Sequence, residues 1–557
     1  MLLTSFVSVS IVLIVSVSGE NITVSTSKGG VVGLRVSLNP ATGVSYDAFL
    51  GVPYGKVHSR FQPPSARDAW NEPLLAQKDG PMCPQLDVEF NEDCLYLNVF
   101  TPVNASQTSV ARPVMVYIHG GGFSFGSSSS LQYGPDFLIP QEVILVTANY
   151  RLGAAGFLTL GTPDAPGNLG LYDTMLALKW VQQEIRMFGG DPTLVTLFGH
   201  SAGSVLVMSH YISPVSTGLF KQAISQSGSL LVNLLPSKEA VRRAKLLSDA
   251  VGCDSSLNST LLLSCLQRVD IKKIVAEQNV ALPIEYIAKG ATLRFTPVID
   301  SFATNSFFPD SLDNLMKGAI NRSKPLITGF AAADGIVKFQ DTEQVWKLSE
   351  ANLAAFIRKN NLGSLSSNLI SLMTEQIRTK YFPVSPGQNK IIDLVNLYTD
   401  ALFAYPTIVT TRAFANFTYG YMYDFLGAWN PMPDYFSQFK VTGVFHGAEL
   451  TYLFYSANSS QDLGKCLTNL PAIAMRNSLV SMWTHFAKHG SPNASLSWHT
   501  LATGNYLLIG EQLSLLNSSA VEEQHYQFWA DLVTQNNSGN VLGNLVMVLA
   551  VSIILYF

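Results

Sequence analysis

Leu194-Val195-Thr196-Leu197-Phe198-Gly199-His200-Ser201-Ala202-Gly203 changes character at its middle. The first five residues are apolar and partly β-branched, a run of strand length, and from Ala202 to Ile212 the chain reads as a helix carrying Val205, Leu206, Val207 and Met208. The expected local structure is strand, sharp turn, helix. Glycines at 199 and 203 remove the Cβ atoms that would keep strand and helix apart, so Ser201 can occupy a strained turn with its Oγ exposed above a helix N-terminus. A bare Gly-x-Ser-x-Gly is weak, and a Gly/Ser-rich turn is the plain alternative. The flanks make Ser201 a candidate nucleophile.

Two other stretches supply what an activated serine needs. Val114-Met115-Val116-Tyr117-Ile118 reads as a buried strand and runs into His119-Gly120-Gly121-Gly122-Phe123. Only residues without side chains let successive backbone N–H groups converge on one point, so Gly121, Gly122 and the amide of Ala202 are candidate donors to an oxyanion. A base must also be in reach, and the chain has nine histidines. His119 and His200 lie inside the other motifs, His210 is on the helix after the serine, and His485 and His489 lie on a helix ending at Gly490. His446 sits between Gly443 and Gly447, after the strand-like Tyr419–Phe425, where an imidazole can project from a loop edge. It is the favoured base. Between the two, Pro325–Phe330 reads as a strand with Asp334-Gly335 beyond it, and Asp334 is the candidate acid, with a turn-forming Asp-Gly as the alternative. The order Ser, Asp, His is that of α/β-hydrolases, and it predicts a serine esterase.

Further motifs carry a family resemblance over nearly the whole chain. They are Phe49-Leu50-Gly51-Val52-Pro53-Tyr54, Arg60-Phe61, Glu92-Asp93-Cys94-Leu95-Tyr96-Leu97-Asn98-Val99, Asn149-Tyr150-Arg151-Leu152-Gly153, Phe188-Gly189-Gly190-Asp191-Pro192, Gln226-Ser227-Gly228-Ser229 and His446-Gly447-Ala448-Glu449-Leu450. The chain resembles the type-B carboxylesterases, which include cholinesterases, insect α-esterases and juvenile hormone esterases. The resemblance implies that Asp334 is the acid, that Arg60 pairs with Glu92 and Arg151 with Asp173 as buried ion pairs, and that disulfides join Cys83 to Cys94 and Cys253 to Cys265. It also implies a deep apolar gorge, and so a small, neutral, fairly hydrophobic ester as substrate. Cys466 is left over, as a buried free thiol or an intersubunit link.

Three departures from the family pattern bear on substrate. The acid is Asp where most members have Glu. His200 precedes the nucleophile where many members place Glu. The segment from Pro84 to Asp93 between two cysteines is short and has no Trp, whereas in cholinesterases it is longer and carries the ring that stacks on a quaternary ammonium. Acetylcholine is therefore not the expected substrate. Two alternatives stay open: a slow-turnover esterase that sequesters its ester, and a cell-surface adhesion protein of the neuroligin type.

The 557 residues show no Pro/Ser-rich linker, charge block or repeat, which predicts one elaborated α/β domain over residues 20–536, with a mostly parallel sheet flanked by helices. Leu171, Met175, Leu178, Val181 and Ile185 form a stripe at helical spacing that reads as core, with Gly189 as its stop. A net charge of −4 without a basic cluster argues against nucleic acid, and no Cys/His spacing suggests zinc or another cofactor. Residues 1–19 read as a signal peptide, and 537–557 as a GPI signal with Asn537 at the attachment site or as a membrane anchor. Sequons at Asn21, Asn104, Asn258, Asn321, Asn416, Asn458, Asn493, Asn517 and Asn536 fit the secretory pathway.

Overall fold

The computed structural model describes residues 20–535 except 38, 40, 41, 282–292, 321, 323, 342–366, 383–389, 431–442, 457–468 and 493–496. The terminal segments read as signal and anchor lie outside these residues, as do Cys466 and the sequons at Asn321, Asn458, Asn493 and Asn536.

Among the described residues a 13-stranded sheet organises the chain, with the short Leu74–Leu75 pairing beside Gly29–Val36 off its main path. Its middle is parallel: Ile144–Ala148, Arg112–Ile118, Gly190–His200, Gln222–Gln226, Leu326–Ala331, Thr418–Tyr423 and Asn505–Ile509 lie side by side in that order. Antiparallel strands extend both edges. Tyr96–Pro102, Tyr46–Pro53, Gly29–Val36 and Asn21–Thr26 continue beyond Ile144–Ala148, and Leu513–Asn517 closes the other side.

Covering both faces of the parallel strands explains their unbroken apolar runs. Side chains alternate across a strand, so Val114, Val116 and Ile118 join one core with Leu171 and Leu178 of helix Leu169–Glu184 and Val205 and Leu206 of helix Ala202–Ile212. Met115 and Tyr117 face the other way, into a core with Leu479, Trp483 and Phe486 of helix Leu470–His489. The stripe anticipated around Leu171 is indeed core, and Gly189 ends it in the left-handed region at φ 84°.

The two disulfides, Cys83–Cys94 and Cys253–Cys265, close as expected, with Cα atoms 5.0 and 5.8 Å apart. The two ion pairs differ from each other. Arg151 and Asp173 are 2.7 Å apart, with side chains 4% and 0% exposed. Arg60–Glu92, also 2.7 Å, is not fully buried, because the Glu92 side chain is 39% exposed. Glu92 lies on the Cys83–Cys94 loop.

Candidate active site

The candidate side chains collect at the carboxyl ends of the parallel strands, where open α/β sheets form their crevice. Gly120 follows the strand ending at Ile118, Ser201 follows His200, Ser227 follows Gln226, and Asp334 lies three residues past Ala331.

Ser201 stands at φ 58° and ψ −123°, a conformation that costs a non-glycine residue about 1–3 kcal/mol. Its neighbours hold it there. Its N–H donates to Gln226 O at 2.9 Å, and its carbonyl accepts the Val205 N–H at 3.1 Å. The turn tolerates no bulk: a Cβ on Gly203 would sit 2.0 Å from Ile118 O, and one on Gly228 would sit 2.3 Å from Ser201 O. Helix Ala202–Ile212 begins at once, so the Ala202 amide has no intrahelical acceptor and is free for an anion.

The glycine loop passes directly against this turn. A Cβ on Gly120 would meet His200 O at 2.8 Å and the Ser201 Cβ at 3.1 Å. Gly121 and Gly122 adopt φ of 113° and 57°. A buried ring supports the loop from behind: His119 stacks on Tyr150 with centroids 4.5 Å apart, the Tyr150 hydroxyl donates to His119 O at 3.0 Å, and burial pushes the His119 imidazole down to about 4.

His446 Nδ1 lies 2.7 Å from Asp334 Oδ1. A carboxylate oxygen only accepts, so Nδ1 carries the proton and Nε2 is left as the acceptor. Asp334 is fully buried at the start of a 3₁₀ turn, Asp334–Asp341, rather than in an open loop. Burial pushes its carboxyl up to about 7, opposed by the Ala331 N–H that bonds Oδ2 at 2.8 Å. A second buried carboxyl, Glu449, is pushed up to about 8 by burial and by the charge of Asp334. Gln226 Nε2 donates to it at 3.3 Å.

His446 is held between two rings. His200 lies 4.3 Å from it and Phe403 lies 4.9 Å from it, both tilted. His200 is buried and its Nε2 finds no hydrogen-bond partner among the described residues, so burial, with His446 as a lesser cause, holds it well below the usual imidazole range. It is neutral. Of the other candidates set aside, His210 is buried between the Thr174 and Ser216 hydroxyls at 2.8 and 2.7 Å, His485 is half-buried and His489 is exposed.

One cavity of about 490 Å³ takes in Gly120, Gly121, Gly122, Ser201, Ala202 and His446. Phe123, Phe125, Leu293, Val337, Leu402, Phe403 and Leu450 give it apolar walls, and no Asp or Glu is among the described residues that line it. Sequence reading missed Phe403, Leu402 and Glu449. Glu449 stood in a quoted motif without a role, and nothing local marks the other two. No group of three or more His, Cys, Asp or Glu placed to hold a metal ion occurs among the described residues.

Residues 20–529 match the family model described as the carboxylesterase family. The chain belongs to the carboxylesterase family. It is a carboxylic ester hydrolase of that family, and its relatives span several activities. Juvenile hormone esterase of Tribolium castaneum is 33% identical over 525 residues, 86% of this chain and 85% of its own length. Cholinesterase of Mus musculus is 31% identical over 557 residues, 92% of this chain and 86% of its own length. Among solved structures, juvenile hormone esterase from Manduca sexta, with OTFP covalently attached, superposes with a TM-score of 0.81 at 28% identity. That match covers 92% of this carboxylesterase and 100% of the other chain.

Proposed function

We propose that this carboxylesterase works through an acyl-enzyme on Ser201, with His446 as base, Asp334 as its orienting acid, and Gly121, Gly122 and Ala202 as oxyanion donors. The observation that carries the reading is the 2.7 Å contact of His446 Nδ1 with Asp334 Oδ1, on a ring that shares a cavity with Ser201 and the glycine loop. His446 Nε2 takes the Ser201 proton as Oγ attacks the ester carbonyl. The positive charge that then forms on the ring faces Asp334, and the charge on the former carbonyl oxygen faces the backbone amides. His446 returns the proton to the leaving alcohol, and water repeats the cycle on the acyl-enzyme. Each backbone donor supplies on the order of 3 kcal/mol of transition-state stabilisation.

Neutral, fairly hydrophobic esters are the substrate class. Phe123, Phe125, Leu293, Val337, Leu402, Phe403 and Leu450 in the cavity wall support it, as does the neutral His200 beside the nucleophile. A quaternary ammonium would find neither a carboxylate among the described lining residues nor a tryptophan on the Cys83–Cys94 loop.

The reading is tested with a short-chain nitrophenyl ester and with choline esters, on wild type and Ser201→Ala side by side. Sustained release of nitrophenolate, lost in Ser201→Ala, is expected, with choline esters turned over more slowly. Equal turnover by the two proteins contradicts the nucleophile, and faster choline-ester hydrolysis contradicts the substrate class.

We also infer passage through the secretory pathway, which two disulfides and exposed sequon asparagines at 21, 104, 258, 416 and 517 support. Among the described residues no helix is long and apolar enough to cross a membrane. Cleavage after Gly19 and lipid attachment at Asn537 belong to the same reading. Release from cells by a phosphatidylinositol-specific phospholipase C is the expected result, and retention on the cell contradicts a GPI anchor.

A further inference from the structure

Among the described residues the mechanism leaves one buried Asp–His pair unused. His525, on helix Ser518–His525, donates through Nδ1 to Asp400 Oδ1 at 2.6 Å, and the two side chains are 9% and 8% exposed. The Tyr381 hydroxyl donates to the other carboxylate oxygen at 2.7 Å, and Trp529 Nε1 donates to that hydroxyl at 2.9 Å. Both oxygens of Asp400 are thus engaged by elements far apart in sequence. His525 Nε2 is buried and has no hydrogen-bond partner among the described residues, so this pair has no nucleophile to serve.

Its position gives it another role. Asp400 opens a single π turn, Asp400–Ala404, between helices Lys390–Thr399 and Tyr405–Ala413. A π turn carries one residue more than an α turn and needs outside support to persist, and such turns cluster at functional sites. Here the extra length carries Leu402 and Phe403 into the wall of the catalytic cavity, with the Phe403 ring 4.9 Å from that of His446. The preceding residue reaches the acid side: Thr399 Oγ1 accepts the N–H of Gly335, the residue after Asp334, at 2.9 Å. Gly335 packs so closely here that a Cβ on it would meet Val395 O at 2.3 Å and Thr399 N at 2.7 Å. His525 also packs its ring on Phe330, in the strand that leads to Asp334, at 5.5 Å.

We propose that the Asp400–His525 pair is a positioning device for the catalytic base, fixing the π turn so that Phe403 holds the His446 ring in line with Asp334. The inference rests on His446 being the base. The last two described helices, Ser518–His525 and Gln527–Gln535, through His525 and Trp529, thereby act on the chemistry without touching substrate. A ring free to rotate would spend part of its time with Nε2 turned away from Ser201, which lowers the rate of proton transfer more than it alters substrate binding.

The test uses the full chain and a neutral nitrophenyl ester, with Ser201→Ala as control. His525→Leu deletes the donor, and His525→Asn keeps an N–H near the Nδ1 position. Phe403→Ala removes the ring through which the pair acts. His525→Leu is expected to lower kcat by about tenfold with KM little changed, and His525→Asn to restore most of the loss. The double variant His525→Leu/Phe403→Ala is expected to be no slower than Phe403→Ala alone, because both act on one contact. Unchanged kcat in His525→Leu, no restoration by Asn, or losses that multiply in the double variant overturns the proposal. Should His525→Leu fail to fold, Tyr381→Phe removes one hydroxyl and keeps the packing. It is expected to lower kcat, again without adding to Phe403→Ala, and an unaltered kcat there overturns the proposal equally. A wild type whose turnover survives Ser201→Ala would instead contradict the underlying mechanism, so the two failures are told apart.

Discussion

His200 stands where a carboxylate would face the imidazolium of His446 directly, its ring 4.3 Å away. A negative charge at that point favours the protonated base, so His200→Glu is predicted to move the acid limb of kcat/KM to higher pH. A pH–rate profile with a neutral ester reads this, and an unmoved limb would mean that the two rings do not sense each other. Gly121 is a second sharp point. At φ 113°, a Cβ there would fall 1.9 Å from the Phe125 carbonyl oxygen, and the amide would have to turn. Gly121→Ala is predicted to lower kcat by on the order of 10²–10³, the loss of one oxyanion donor, which steady-state kinetics on the purified variant checks. The roles proposed for Ser201, His446 and the glycine loop could be put forward from sequence because each sits in a contiguous motif whose residue types have few other uses. Phe403 and Glu449 were not assigned roles, because what they do depends on which loops the sheet order brings together, and no spacing along the chain encodes that.

At the scale of elements, the two ion pairs that look alike in sequence separate by burial. Arg151→Met strands a fully buried Asp173 carboxylate and is predicted to cost about 3–5 kcal/mol, whereas Arg60→Met, facing a partly solvated Glu92, costs about 1 kcal/mol. Urea unfolding of the two variants measures the difference, and equal losses would contradict it. Strand and helix positions were read well where hydrophobic period is strong, as at Arg112–Ile118 and Ala202–Ile212. They were read less well at boundaries. The nucleophile strand starts at Gly190 rather than Leu194, because Gly190 pairs with Arg112 across an irregularity, where Gly and Pro192 read locally as a break. The 3₁₀ turn at Asp334 and the π turn at Asp400 leave no period at all. Tertiary bonds to Thr399, Tyr381 and His525 hold them.

For the whole molecule, buried neutral histidines set the response to acid. Burial pushes His210 down to about 3, so it stays uncharged in the folded protein while the unfolded chain takes up a proton near pH 6.5. Its contribution to stability is complete above pH 6.5 and is lost as the pH falls from there toward 3, by about 2 kcal/mol between pH 7.5 and pH 5. His210→Gln cannot titrate, and is predicted to lose that much less stability over the same interval in denaturant unfolding. An equal loss in both proteins would contradict it. The parallel sheet itself was foreseeable from fully apolar strands alternating with helices. Its antiparallel margins were not, since an edge pairing depends on neighbours the chain reaches only after long excursions.

The account turns on one atom, the Oγ of Ser201, in a strained turn above a helix N-terminus. A fluorophosphonate probe that forms a covalent adduct with an activated serine, followed by mass spectrometry of the digested protein, tests it directly. One equivalent on the peptide containing Ser201, with ester hydrolysis lost in step, is the predicted result. Hydrolysis that continues while Ser201 stays unmodified, or an inactivating adduct at another residue, would contradict it.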